Sequence, residues 1–98
     1  MTNWRNSMTD RLVKVLVRLK TPEECYSFLE DLCTIKEVLD MSQRLEVASL
    51  LKQGTNYQDI YKKTGVSTAT ISRVNKCLSY GSGGYQAVLE DLQKEEEE

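Results

Sequence analysis

The chain has 98 residues, 40% of them hydrophobic and 29% charged, which suits one folded domain with a modest core and excludes a disordered polymer. It holds no histidine, and its three cysteines (Cys25, Cys33, Cys77) show no CxxC spacing; a zinc site, a disulfide framework and the commonest general base are therefore excluded, and neither enzymatic activity nor a cofactor is expected. The net charge of −2 argues against a nucleic-acid partner only if the charge is spread evenly, and it is not.

In chain order, Asp10 is positioned to cap a first helix running to about Lys20. Its apolar residues Leu12, Val13, Val15, Leu16, Val17 and Leu19 cover more than half of the helix surface, which points to cover from more than one side and to intertwining with a second subunit. Lys14 and Arg18 interrupt this run, the longest apolar stretch in the chain. It is far short of the ~20 residues that cross a bilayer, and no signal-peptide cleavage site follows it. The expected location is cytoplasmic, with no membrane partner.

Thr21-Pro22-Glu23-Glu24 reads as a capping box with proline at the first helical position, opening a helix with Cys25, Phe28, Leu29 and Leu32 on one face. Thr34 to Glu37 is a second such box, starting a short helix or a continuation with Val38 and Leu39. Ser42 is the expected cap of the next helix, with Leu45, Ala48 and Leu51 inward and Gly54 as its left-handed end. Thr55 to Gln58 is a third capping box, and Gly65 closes that short helix. Ser67 caps a helix to about Leu78. Gly81 to Gly84 is a flexible break before a last helix from Tyr85 that carries Val88, Leu89 and Leu92. The expected organisation is one all-α domain over residues 1–94 with an acidic tail at 95–98, and the cysteines are read as small buried apolar residues.

Function is concentrated between Thr55 and Leu78. Two short helices flank Gly65-Val66-Ser67, with Ile60, Val66, Ile71 and Val74 spaced to meet where they cross, which is the pattern of a helix-turn-helix. Residues 52–76 hold Lys52, Lys62, Lys63, Arg73 and Lys76 against Asp59 alone, whereas residues 21–46 hold seven acids and two bases. The basic segment is the expected DNA face. Ser67, Thr68, Ala69 and Thr70 are short enough to let a helix tip approach base edges in the major groove. Tyr61, four residues before the glycine, stands where such motifs usually carry a small residue.

These residues, with FLEDLCTIKE (Phe28 to Glu37), QRLEVASLL (Gln43 to Leu51), GVSTATISRVNKCL (Gly65 to Leu78) and YGSGGYQAVL (Tyr80 to Leu89), give the chain its resemblance to the tryptophan-repressor-like family, and more closely to its YerC/YecD-type branch. The resemblance covers about Glu23 to Leu92. It implies an intertwined helical homodimer with two heads that read double-stranded DNA as a sequence-specific transcription regulator. Recognition positions then fall on Thr68, Ala69, Ser72 and Arg73, with Gln58 and Tyr61 facing DNA from the first helix of the motif.

The corepressor pocket carries over in part. Thr34, Arg44 and Arg73 look like the residues that hold tryptophan in the repressor. Val74, however, stands where the repressor has a glycine that leaves room for the indole ring, and Cys77 stands in place of a serine, so tryptophan is not the expected effector. Read without the resemblance, Thr34 is a helix cap and Arg44 a partner in an ion pair. The alternative function is a protein-interaction module of the same pattern that contacts transcription or replication machinery.

Overall fold

The computed structural model describes residues 3–97. Among these residues there are six helices and no strand: α1 (Ser7–Leu16), α2 (Pro22–Leu32), α3 (Ile35–Lys52), α4 (Tyr57–Thr64), α5 (Thr68–Tyr80) and α6 (Gly84–Glu97). The all-α expectation holds, and no helix is long and apolar enough to cross a membrane. The chain divides into two compact units, residues 1–35 and residues 36–98.

In the first unit the start of α1 differs from the reading of the sequence. Asn6, not Asp10, is the cap: its side chain accepts from the amides of Met8 and Thr9 at 2.9 and 3.0 Å. The Thr9 hydroxyl returns the favour by accepting from the Asn6 amide at 2.7 Å, so threonine does what glutamate does in the usual capping box. Asp10 lies in the first turn, where its charge suits the helix dipole. The helix stops at Leu16 instead of continuing to Lys20. Thr21 caps α2 as expected, accepting from the Glu24 amide at 3.1 Å, and Glu24 reaches back to the Lys20 amide. Neither helix contains a buried residue. Leu12, Val13, Val15, Leu16 and Val17 are all exposed, and Val17 is 76% exposed.

The second unit holds the core. α3 is one continuous helix of 18 residues. Ser42 is not a cap: its hydroxyl donates to the Leu39 carbonyl at 2.7 Å inside the helix. Of the residues expected inward, Ala48 is buried and Leu51 packs against the core, whereas Leu45 is 41% exposed; Val47 and Leu50 are the other buried residues of this helix. Gly54 (φ +88°) ends α3, with the Thr55 amide on Leu50 O and the Gly54 amide on Leu51 O, both 3.0 Å, the paired bonds of a Schellman end. Asn56, one residue later than the expected Thr55, caps α4 by accepting from the Asp59 amide at 2.9 Å.

Val47, Ala48, Leu50, Ile60, Val66, Ile71, Val74 and Leu89 form one cluster, with Leu51, Tyr57 and Tyr85 packed against it. α6 contributes Leu89 alone among its buried residues, while Val88 and Leu92 remain 56% and 45% exposed. Lys52 ties α3 to α6 by donating to Gln86 at 3.0 Å and pairing with Glu90 at 3.5 Å. α6 extends through Glu97, so the acidic residues Glu95 to Glu97 are helical and exposed; Glu98 lies outside the described residues. The cysteines are less buried than expected. Cys25 and Cys33 are half-buried and Cys77 is exposed.

Ile71 is fully buried at the centre of this cluster. Truncating it to alanine leaves a cavity that helices anchored by several other residues cannot close. Ile71→Ala is expected to destabilise the protein by about 2–5 kcal/mol in urea unfolding, whereas Ser42→Ala on exposed α3 surface changes stability by less than about 0.5 kcal/mol.

Candidate nucleic-acid interface

The head is built around the turn Gly65-Val66-Ser67. Thr64 braces its entry: the hydroxyl donates to Ile60 O at 2.7 Å and accepts from the Val66 amide at 3.1 Å. Gly65 takes φ +73°, a left-handed conformation that an L side chain adopts only with strain, and its amide donates to Tyr61 O at 2.8 Å. Val66 then drops into the core at 8% exposure. Ser67 turns the chain into α5, its side chain accepting from the Thr70 amide at 3.2 Å. Ile60 and Ile71 are fully buried and Val74 is 2% exposed, so the four apolar residues expected to meet between the helices all do so. Tyr61 is 54% exposed and its ring turns outward, which explains how a large residue is accommodated four positions before the glycine.

With Ile71, Val74 and Leu78 fixing the inner side of α5, the helical repeat places Thr68, Ala69, Ser72, Arg73 and Lys76 on the opposite side, and all five are exposed. On α4, Gln58, Tyr61, Lys62 and Lys63 are exposed as well. Lys62 and Lys63 occupy the last turn of α4, beside the turn into α5. The ion pairs Lys36–Asp40 and Lys52–Glu90 do not involve the basic residues of the motif. Lys62, Lys63, Arg73 and Lys76 form no ion pair among the described residues.

Three of the sequence-derived assignments shift. Lys52, counted with the basic segment, is only 25% exposed at its side chain and directed to α6. Ser67 and Thr70 are committed to the helix cap, their hydroxyls 3.1 Å apart, and Thr70 is half-buried. Tyr80 was not among the residues expected on this face. α5 runs two residues beyond Leu78, which puts Tyr80, 86% exposed, on the same side as Arg73 and Lys76 at i+7 and i+4.

A groove of about 280 Å³ lies between α3 and the start of α5, lined by Lys36, Asp40, Gln43, Arg44, Val66, Ser67 and Thr70. Of the candidate effector residues, half-buried Arg44 lines it and Arg73 does not. Thr34 is exposed and belongs to the first unit. Val74 lies in the core cluster.

This is the architecture of a small helix-turn-helix protein. The chain belongs to the Trp repressor family, whose model, described as Trp repressor protein, matches residues 7–93. It is 47% identical over 94 residues to the uncharacterised protein YerC of Bacillus subtilis (strain 168), covering 96% of this chain and 90% of that protein. Among solved structures it is similar to a TrpR-like protein from Eubacterium eligens ATCC 27750, with 48% identity, a TM-score of 0.88, and 91% and 92% of the two chains covered. A Trp-repressor candidate from Staphylococcus aureus matches with 43% identity, a TM-score of 0.87, and 91% and 89% coverage.

Proposed function

We propose that the protein is a homodimeric transcription regulator that reads double-stranded DNA with α4 and α5. The observation that carries this reading is a helix tip of short, exposed side chains on α5 accompanied by four exposed cations on α4 and α5 that have no ion-pair partner among the described residues. Short residues let the backbone of α5 approach base edges, and Lys62, Lys63, Arg73 and Lys76 neutralise the flanking phosphates. Membership of the Trp repressor family supports the same assignment.

The dimer is supported by what the single chain leaves wet. α1 and α2 contain no buried residue although they carry Leu12, Val13, Val15, Leu16, Phe28, Leu29 and Leu32. On the second unit, Leu45, Val88 and Leu92 line an open apolar groove. Exposed apolar side chains in such number mark an interface, and a second copy of the chain is the partner that the family's intertwined assembly supplies. Two heads on a twofold axis read half-sites about one helical turn, or a multiple of it, apart.

Tryptophan is not the effector in this reading. The Val74 side chain occupies core volume in place of the repressor's glycine, and a ring inserted there meets a packed wall; overpacking of this kind costs about 1–3 kcal/mol or more. Val74 instead joins Ile60 and Ile71 in holding the head in its reading geometry without a ligand.

Four measurements test these claims. Sedimentation of the free protein should give twice 11.2 kDa, and duplexes selected from a random pool should contain an inverted repeat. With four phosphate contacts per subunit, log K is expected to fall with log salt at a slope of about −7, and Lys63→Ala should reduce its magnitude by about 2 in the dimer. A slope near zero is the result expected of a protein-interaction module. For the effector, calorimetry with millimolar tryptophan should show no saturable heat and no tightening of DNA binding. Micromolar binding coupled to tighter DNA binding would contradict the filled-pocket account.

A further inference from the structure

Charge is concentrated at the two ends of the chain, with opposite sign. Residues 1–20 carry five bases against Asp10 alone, and residues 90–98 carry six acids against Lys94 alone. On α1 this charge is ordered. Counting about 100° per residue, Leu12, Val13, Val15 and Leu16 share an apolar arc, and Arg11 and Lys14 lie on the remaining side, one turn apart. All six residues are exposed. The one acid of the helix, Asp10, belongs to its first turn.

The second unit presents the counterpart. An open groove of about 490 Å³ runs between α3 and α6, lined by Leu45, Val88 and Leu92 and by two acids, Asp91 and Glu95. These acids are exposed, sit one turn apart as Arg11 and Lys14 do, and form no ion pair among the described residues. An apolar helix face bordered by cations fits an apolar groove bordered by acids: burial supplies the attraction, and charge decides which helix is accepted. Both halves belong to the same chain, so a twofold axis makes the contact twice in one dimer. A groove filled by any other basic helix would leave the chain's own α1 uncovered.

We propose that α1 of one copy lies in the α3–α6 groove of a second copy, with Arg11 and Lys14 paired to Asp91 and Glu95 across the interface. This rests on the proposed homodimer and deepens it, because two seams of charge become the device that selects the partner. Arginine and lysine stems are long enough to reach from the outer side of α1 over the rim of the groove while their charged ends stay in water. Pairs so exposed are weak singly, worth about a factor of two each in affinity. Their effect comes from repetition with matched sign in both seams.

The test uses the full chain in two charge-reversed forms. One carries Arg11→Glu with Lys14→Glu, the other Asp91→Lys with Glu95→Lys. The two are refolded together from urea in equal amounts, and native mass spectrometry counts mixed dimers against homodimers. In a homodimer of either variant both seams oppose like charges, whereas in the mixed dimer both seams are again opposite in sign. Mixed dimers are expected to reach about nine-tenths or more of the total, against the half that differently labelled native chains give. The excess should decline in 1 M salt, where the screening length is about 3 Å. Neither variant has to fold alone, since the mixed dimer carries the readout. A statistical half, an excess indifferent to salt, or no dimer from the mixture while the native chain dimerises overturns the charge seams and leaves the homodimer standing. A native chain that sediments as a monomer overturns both.

Discussion

Everything the second unit presents to its surroundings depends on the tight crossing of α4 and α5. Ile60, Ile71 and Val74 are at or near zero exposure, and they reach that state because Gly65 turns left-handed and the Thr64 hydroxyl locks the carbonyl of Ile60 to the amide of Val66. A helix held on its inner side has its outer side fixed as well, because side-chain directions follow the helical repeat. The exposed face from Thr68 to Lys76 is thus a consequence of core packing. α3 and α6 contribute the other wall through Val47, Ala48, Leu50 and Leu89, and the Lys52–Gln86 hydrogen bond holds that wall together across 34 residues of sequence. The Gln86 amide also donates to Leu78 O at 3.4 Å, so one side chain links α3, α5 and α6.

The first unit follows a different economy. Its two helices are capped by good local chemistry, Asn6 with Thr9 and Thr21 with Glu24, but they bury nothing completely. Local capping contributes on the order of 1 kcal/mol per helix and does not compensate for so much exposed leucine and valine. In the proposed homodimer a second copy of the chain covers these side chains and brings the second head that a palindromic site requires.

Much of this was legible in the sequence where a residue type has a single good use. Gly65 between two short polar-capped segments, Ser67 ahead of a helix, and the spacing of Ile60, Val66, Ile71 and Val74 located the head and its core correctly. Legibility failed where several residues compete for one task. Asn6 and Asp10, Thr55 and Asn56, are all capable caps, and the winner is decided by where the first turn closes, a property of backbone geometry that composition does not carry. Ser42 misled for a related reason, since a serine inside a long helix satisfies its hydroxyl on its own backbone and leaves no mark distinguishing it from a cap. The division of labour among Ser67, Thr68, Ala69 and Thr70, and the diversion of Lys52 to α6, required three dimensions.

The most direct test of the account is a titration of the isotopically labelled protein with its selected duplex, followed by backbone amide and methyl chemical shifts. The account predicts that the largest changes fall on Thr68, Ala69, Ser72 and Arg73, with smaller ones at Gln58, Tyr61 and Lys63, while the acidic surface of α2 stays unchanged. Changes concentrated on α2 with α5 silent would contradict it.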